Sequence, residues 1–335
     1  MTRPNEPALT PDGPPVLTNT YGLFNNYEMD KILTQTSGGT NASGQPAGGR
    51  ITYFYDGFPA GPDPNDLTVA RNRTTIIDRN GNVAEFEQNV LGNHIRYREY
   101  TGRVDPTLPR TTLAAQIPSH NPSFPPIAKL RPEDPAFYET RYEYNKDGEL
   151  TKTIYPEGNS DQLTYDSSDF SRFKQGNLIE TRRIAGPRGG DGSGSPINDI
   201  VTTYTYEPIF NQVRTVTDPR GNDPTFVPPV PGPTGPDRYT TRHTFDYQEG
   251  TADNIQYLAT AEGVPLTPTE AQALSIGSDV NGDGLTNQQQ GNVIRTEAPT
   301  VHLSGGGTQE IKALMRYNSR GQLLARVDPD QSVDE

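Results

Sequence analysis

The residues best suited to chemistry form a short run of oxygen-bearing groups in the C-terminal part of the chain. Side-chain oxygens come from Asp279, Asn281, Asp283 and Asn287, and a backbone carbonyl comes from Leu285. Gly284 lies among them, at the position where a calcium-binding loop makes its sharp turn. Ca²⁺ takes roughly six to eight oxygen ligands, and this spacing of oxygens is typical of its loops. The run therefore predicts a Ca²⁺ site.

The same run departs from a complete calcium loop at its end. Gln290 stands where such loops carry a bidentate carboxylate, and residues 291–295 read as a returning strand where a helix is expected. Because the loop itself supplies only two carboxylates, an outside carboxylate or extra water must complete the ligand set. The alternative is an ordinary string of turn residues that binds no metal, since Asn, Asp and Gly are also frequent turn formers.

Other catalytic or metal-binding chemistry is poorly represented. The chain has no Cys, which excludes disulfides, thiolate catalysis and Cys-ligated metals. The histidines are scattered singly, at His94, His120, His243 and His302. No nucleophile, zinc-binding or phosphate-binding motif occurs, and the Gly-rich run at 189–194 follows no strand–helix pattern. We therefore expect a protein that is not an enzyme and that has no cofactor other than Ca²⁺.

Composition and charge narrow the class of protein further. The 335 residues include 29 Lys and Arg against 42 Asp and Glu, for a net charge of −13, without any basic tract. Nucleic-acid binding needs a basic surface and is disfavoured. Gly and Pro number 33 and 32, only 31% of residues are hydrophobic, and no stretch approaches the ~18 apolar residues of a membrane span. These properties predict a turn-rich, mostly β protein with neither a membrane span nor a signal peptide.

A repeated unit is the dominant pattern of the sequence. In the three clearest copies, a Tyr-x-Tyr or Met-x-Tyr pair leads to a turn and then to an aliphatic residue five positions before a Tyr-Pro or Asp-Pro pair. The clearest copies start at Tyr142, Tyr204 and Met315, and fainter copies start at Tyr53 and Phe86. Rings two residues apart leave the same face of a strand, while Asn, Asp, Gly and Pro supply tight turns. Each copy therefore predicts two short antiparallel strands that must stack on neighbours to bury their aromatic face.

The recurring tyrosines have two interpretations. Rings that return at a fixed position of a repeat suit packing between neighbouring units. Exposed tyrosine rings beside acidic side chains also suit sugars, because a ring offers an apolar face next to polar groups. The alternative function is therefore a cell-surface adhesion or glycan-binding module with a glycan as its partner.

The repeats resemble those of the Rhs/YD-repeat family, which is found in bacterial polymorphic toxins, insecticidal toxin complexes and animal teneurins. The resemblance covers most of residues 50–335 and includes departures. Tyr144 and Tyr317 precede Asn, Tyr206 precedes Glu, and Phe210 stands where a turn glycine is expected. We therefore predict bulges or wider turns in those copies. The loop at 279–287 is similar to the calcium loops of dockerins and thrombospondin type 3 repeats.

What the resemblance implies is an all-β fold, a spiralling antiparallel β-sheet that forms a partial hollow shell or barrel. It also implies a structural role, in which the chain scaffolds or encapsulates a cargo, usually a toxin domain, in a larger secreted or surface protein. The implied partners are further YD repeats or a C-terminal cargo domain of the same protein. The implied location is extracellular or on the bacterial cell surface.

The chain divides into an extended N-terminal arm, 1–20, and a YD-repeat region, 21–335, and reads as a piece of a longer protein. Runs rich in Pro or Gly predict insertions at about 104–136, 183–199, 223–238 and 251–290. A capping box at 267–270 predicts one short helix, at 268–274. Open sheet edges at both ends would present unpaired N–H and C=O groups, so we expect self-association or docking of further repeats.

Overall fold

The structure, a computed structural model, describes residues 17–22, 28–38, 48–117, 129–167, 176–187, 197–208, 210–228, 236–246, 291–303, 307–317, 321–328 and 333–334. Seventeen strands and little helix make up the described chain, and the strand pairs are antiparallel. The predicted all-β class is confirmed. Two compact units are present, Met1–Asp161 with Gly186–Arg188 (unit 1) and Gln162–Ala185 with Gly189–Glu335 (unit 2).

Unit 1 is an antiparallel meander in which each strand pairs with the next one along the chain. Its strands are β1 (Leu17–Tyr21), β2 (Ile32–Ser37), β3 (Arg50–Gly57), β4 (Asn72–Ile77), β5 (Asn82–Gln88), β6 (His94–Arg103), β7 (Phe137–Tyr144) and β8 (Leu150–Ile154). Burial alternates residue by residue along β5, as a strand with one covered face requires. Strand β9 (Ser160–Tyr165) lies where the chain divides between the units.

Helix α1 (Arg110–Gln116) covers the apolar part of unit 1. Leu113 and Ile117 lie four residues apart and are fully buried. They join a core cluster of Phe54, Ile77, Val83 and Val104. Burial of each aliphatic side chain contributes about 1.5–3 kcal/mol, so two residues anchor the helix. The sequence predicts only an irregular insertion there; the helix escapes prediction because a single apolar pair is too short a periodic signal.

Unit 2 is a second antiparallel meander. Its strands are β10 (Leu178–Ile184), β11 (Ile200–Tyr206), β12 (Val213–Thr217), β13 (Thr240–Phe245), β14 (Val293–His302), β15 (Thr308–Tyr317), β16 (Leu323–Val327) and β17 (Val333–Asp334). A short helix, α2 (Pro219–Asn222), and a 3₁₀ helix (Pro236–Tyr239) lie between β12 and β13. The predicted helix at 268–274 lies outside the described residues.

The three clearest repeats share one strand register. In β7, β11 and β15 the pairing shifts by a bulge immediately before the tyrosine that ends the strand. That tyrosine then lies opposite the aliphatic residue of the same repeat, in the pairs Tyr144–Leu150, Tyr206–Val213 and Tyr317–Leu323. The predicted bulges are therefore confirmed, and the repeated residues of the sequence are cross-strand partners.

Candidate functional site

Three turns of unit 1 share one pattern of hydrogen bonds, beginning at Asp78, Asn89 and Asn145. In each, the first side-chain oxygen accepts from the backbone N–H groups two and four residues later, at 2.8–3.1 Å. The fourth residue is a glycine with φ between 82° and 84°, a left-handed conformation that favours glycine. We call the first residue the turn cap. The sequence signal Asn/Asp-x-x-Gly therefore encodes a turn that satisfies its own backbone donors.

Two turns of unit 2 keep this pattern in altered forms. Glu207 caps a turn one residue longer, in which its side chain accepts from Phe210 N–H and Gln212 N–H at 2.6 and 3.1 Å. Asn211, with φ of 58°, takes the left-handed place that glycine holds elsewhere. The longer Glu side chain therefore matches a wider turn, as the sequence predicts for this copy.

Asp246 closes a turn whose two sides are far apart in the sequence. Its carboxylate accepts from the N–H groups of Gly291 and Asn292 at 3.1 and 3.0 Å, and its own N–H donates to the Asn292 carbonyl at 2.9 Å. Gly291 has φ of 69°. These hydrogen bonds close the β13–β14 hairpin between Asp246 and Gly291, two residues separated in the sequence by residues 247–290.

Three tyrosines tie a Tyr-x-Tyr strand to the strand before it. The second tyrosine donates a hydrogen bond to the carbonyl of the first residue of that strand: Tyr55 to Ile32 at 2.9 Å, Tyr144 to His94 at 2.7 Å and Tyr206 to Leu178 at 3.0 Å. We call these contacts the tyrosine clasps. Burial raises the pKa of all three hydroxyls, so they stay protonated donors well above neutral pH. The repeated ring is therefore a structural fastener.

One face of unit 1 carries alternating charges across β3 to β7. Direct cross-strand partners form the two rows Asp56–Arg73–Glu87–Arg96–Arg141 and Glu85–Arg98–Glu139. We call these residues the charged face. Each carboxylate lies within 4.0 Å of an arginine nitrogen, and the four carboxylates balance the four arginines. Opposite-charge cross-strand pairs contribute about 0.2–1 kcal/mol each, so the face stabilises the sheet and offers no net charge to a ligand.

Glu139 is the best-paired carboxylate of the charged face. Arg98 Nε lies 2.6 Å from Glu139 Oε2, and Arg141 pairs with the other oxygen. Burial alone would raise the pKa of Glu139, but hydrogen bonds from Arg141 and Arg98 hold it below its usual value. Glu139 therefore stays ionised and is not suited to act as a general acid.

Glu85 is the most buried carboxylate of the charged face, with 2% of its surface exposed. It accepts a hydrogen bond from the Tyr100 hydroxyl at 3.0 Å and lies 3.9 Å from Arg98 Nη1. Burial, followed by the Glu85 charge, raises the pKa of Tyr100. The Tyr100 hydroxyl and the Arg98 guanidinium thus stabilise the buried carboxylate of Glu85. These three residues do not place a nucleophile beside a base, as covalent catalysis would require.

A concavity of about 680 Å³ lies in unit 1, beside the start of β7 and the end of β8. It is lined by Phe137, Tyr138, Glu139, Arg141, Ile154, Tyr155, Glu157 and three prolines. Tyr138 and Tyr155 are 42% and 36% exposed. We call this surface the Tyr155 concavity. A groove of about 360 Å³ in unit 2 has no aromatic lining, and its Arg182 is already paired with Glu180 and Asp199, both at 2.9 Å.

The predicted calcium ligands, Asp279, Asn281, Asp283, Leu285 and Asn287, lie outside the described residues. Within the described ranges, no group of three or more His, Asp or Glu side chains could hold a metal. The turn caps at Asn and Asp follow from the Asn/Asp-x-x-Gly signal of the sequence, whereas sequence reasoning did not assign the tyrosine clasps. The repeat gives the positions of the tyrosine rings but not their hydrogen-bond partners. In the part of the chain that is described, no helix is long and apolar enough to cross a membrane.

No protein-family model and no curated protein matches the sequence. Among solved structures, a TcdB2–TccC3–Cdc42 structure matches 95% of this chain and 13% of its own length, at 12% identity and a TM-score of 0.30. The Tc holotoxin pore of Photorhabdus luminescens matches 94% of this chain and 14% of its own length, at 12% identity and a TM-score of 0.30. The chain is thus similar to small parts of Tc toxin structures. At these TM-scores the likeness carries no conclusion about fold or function.

Proposed function

We propose that this chain is a structural segment of an Rhs/YD-repeat shell, which scaffolds or encapsulates a cargo domain of a larger protein. The observation that supports this most is a structural arrangement that occurs both in unit 1 and in unit 2. It comprises a bulge, a tyrosine opposite an aliphatic residue, a clasp to the preceding strand and a capped turn, and we call it the fastened unit. The role is mechanical, and we assign it no catalysis.

The fastened unit suits a wall because, within the described residues, consecutive strands pair with each other along the chain. Stability in such repeat arrays comes from repeat-to-repeat contacts, so copies can be added without redesigning a central core. Capped turns satisfy their own backbone donors. The charged face adds cross-strand ion pairs. Because its positive and negative charges balance, it creates no net electrostatic potential that would attract a charged cargo.

We further propose that the partners are other YD repeats and a cargo domain of the same protein, outside the cell or on its surface. The support for the cargo and the location is the sequence resemblance. The support for docking further repeats is the meander itself, because a strand at the end of a sheet is a template for another strand.

Limited proteolysis of the intact protein that carries this segment tests the proposal. The cargo domain should resist cleavage while the repeats are folded. Replacing Tyr55, Tyr144 and Tyr206 by Phe should make the cargo cleavable at a lower urea concentration, because the clasps fasten the wall. The isolated cargo domain is the control. Cleavage of the cargo at the same rate in the intact protein and in isolation contradicts encapsulation.

A further inference from the structure

Strands β3 to β7 have a second face, opposite the charged face, which is built mainly from aromatic and neutral residues. Direct cross-strand partners lie on the same face of a sheet. Here they form the two rows Tyr55–Thr74–Phe86–Tyr97–Thr140 and Tyr53–Ile76–Ala84–Glu99–Tyr138. We call these ten residues the tyrosine face. Glu139 and Arg141, which line the Tyr155 concavity, alternate with Tyr138 and Thr140 along β7 and therefore lie on the charged face.

The burial of the two faces is the reverse of the usual arrangement. An antiparallel sheet commonly covers its apolar face and leaves its polar face in water. In unit 1 the covered side includes Glu85 and Glu87, which are 2% and 7% exposed, and helix α1 packs on that side against Phe54. None of the ten residues of the tyrosine face is buried, and Tyr138 is 42% exposed. An aromatic sheet face that is left partly in water marks an interaction surface.

The tyrosine face is poor in charge, although the chain as a whole is strongly acidic. Glu99 is the one charged residue among the ten, and its carboxylate accepts a hydrogen bond from the Tyr97 hydroxyl at 2.7 Å. Beside the face, Lys31 Nζ lies 4.7 Å from the centre of the Tyr55 ring, so the two charges are of opposite sign. Aromatic residues combined with few charges are typical of the core of a protein–protein interface.

We propose that the tyrosine face is the interface between two copies of this chain, which pack face to face as a sandwich of two sheets. The net charge of −13 opposes the approach of a second copy over the rest of the surface, so a contact between copies is favoured where charge is lowest. A two-fold symmetric contact joins the same patch of both copies. The neutral tyrosine face meets that condition because it needs no opposite charge in its partner. This inference does not depend on the proposed shell or on its cargo.

The size of the face suits a weak but specific contact. Five strands at a spacing of about 4.8 Å, and about seven residues per strand at about 3.4 Å each, give a face of ~24 Å by ~24 Å, or ~550 Å² per copy. Two copies would then bury ~1,100 Å² together, just above the roughly 1,000 Å² that a specific interface needs. We therefore expect a dimer that dissociates in the micromolar range.

Sedimentation velocity of the full chain over a series of concentrations is the test. The wild-type chain should shift from the monomer mass to twice that mass, and added salt should strengthen the dimer by screening the repulsion between acidic copies. Thr74→Lys, between Tyr55 and Phe86, should raise the dissociation constant ~10-fold or more, because symmetry buries the unpaired charge twice. Tyr138→Ser should weaken the dimer in the same direction. Gln309→Lys, at an exposed position of β15 in unit 2, adds the same charge and should not weaken it.

Three outcomes overturn the proposal. The first is a chain that stays monomeric at concentrations well above the micromolar range. The second is a dimer whose dissociation constant is the same in wild type, Thr74→Lys and Tyr138→Ser, which would place the contact elsewhere, such as at a sheet edge. The third is an assembly that grows beyond two copies, because a two-fold contact between faces closes on itself. Circular dichroism and urea midpoints verify that each variant is folded, and Tyr138→Ser, at a position that is 42% exposed, keeps the test decisive if Thr74→Lys does not fold.

Discussion

Replacing one clasp tyrosine by phenylalanine distinguishes the stability that the hydroxyl contributes from the stability that the packing of the ring contributes. Tyr144→Phe keeps the ring opposite Leu150 but deletes the donor that reaches the His94 carbonyl at 2.7 Å. Such a hydrogen bond makes a net contribution of about 0.5–1.5 kcal/mol to the free energy of unfolding. For a domain of roughly 150–250 residues, a loss of 1 kcal/mol lowers the melting temperature by about 2–4 °C.

The repeat supplies its own control for this prediction. Tyr142 lies two residues earlier on the same strand, and no hydrogen bond from its hydroxyl is present among the described residues. Tyr142→Phe should therefore change stability by less than about 0.5 kcal/mol. The same contrast is expected between Tyr206→Phe and Tyr204→Phe in unit 2, where Tyr206 reaches the Leu178 carbonyl.

Urea unfolding followed by far-ultraviolet circular dichroism is the assay. The midpoint should fall for Tyr144→Phe and Tyr206→Phe without a change in slope, which indicates lost stability and not a changed denatured state. Equal midpoints for Tyr142→Phe and Tyr144→Phe would refute the stabilising role of the clasp, because the Tyr144 hydroxyl would then contribute no more stability than the Tyr142 hydroxyl.

Further predictions concern the charged face, the pH range and the insertion at the β13–β14 turn. Arg98→Met should lower the free energy of unfolding in urea by about 1–3 kcal/mol, because it removes one partner of the buried carboxylates of Glu85 and Glu139. Arg141→Met, whose side chain is 62% exposed, should cost under about 1 kcal/mol. Burial and a bond to Glu99 raise the pKa of Tyr97 to about 12, so stability present below pH ~10, the unfolded value, should fall as pH rises towards 12, in step with tyrosinate absorbance. Replacing residues 247–290 by two residues should preserve or raise the melting temperature, because a shorter loop loses less entropy on closure. If the calcium loop is occupied, millimolar Ca²⁺ should raise the melting temperature of the full chain but not of this deletion or of Asp279→Ala; identical melts with Ca²⁺ and with chelator would leave only a turn.

Much of the fold could be predicted from local signals. The Tyr-x-Tyr period predicts a shared strand face, and Asn/Asp-x-x-Gly predicts the turns, because both depend on residues within one short segment. The wide turn at Glu207 was also predictable, from Phe210 standing in place of glycine. Helix α1 was missed because its pair Leu113 and Ile117 is stabilised by the core and not by helix propensity.

The clasps and the charged face depend on contacts across strands, which no single segment encodes. Tyr144 and its acceptor His94 lie 50 positions apart. The Asp246 turn is hidden for the same reason, since its cap and its glycine are separated by residues 247–290.

Electron cryo-microscopy of the intact protein that carries this segment tests the central claim most directly. The account predicts that the strands of residues 50–335 form part of a continuous antiparallel wall, with neighbouring repeats paired to its end strands and the cargo inside the enclosed volume. A compact β domain that encloses no volume, with its end strands unpaired and the cargo outside, would contradict the account.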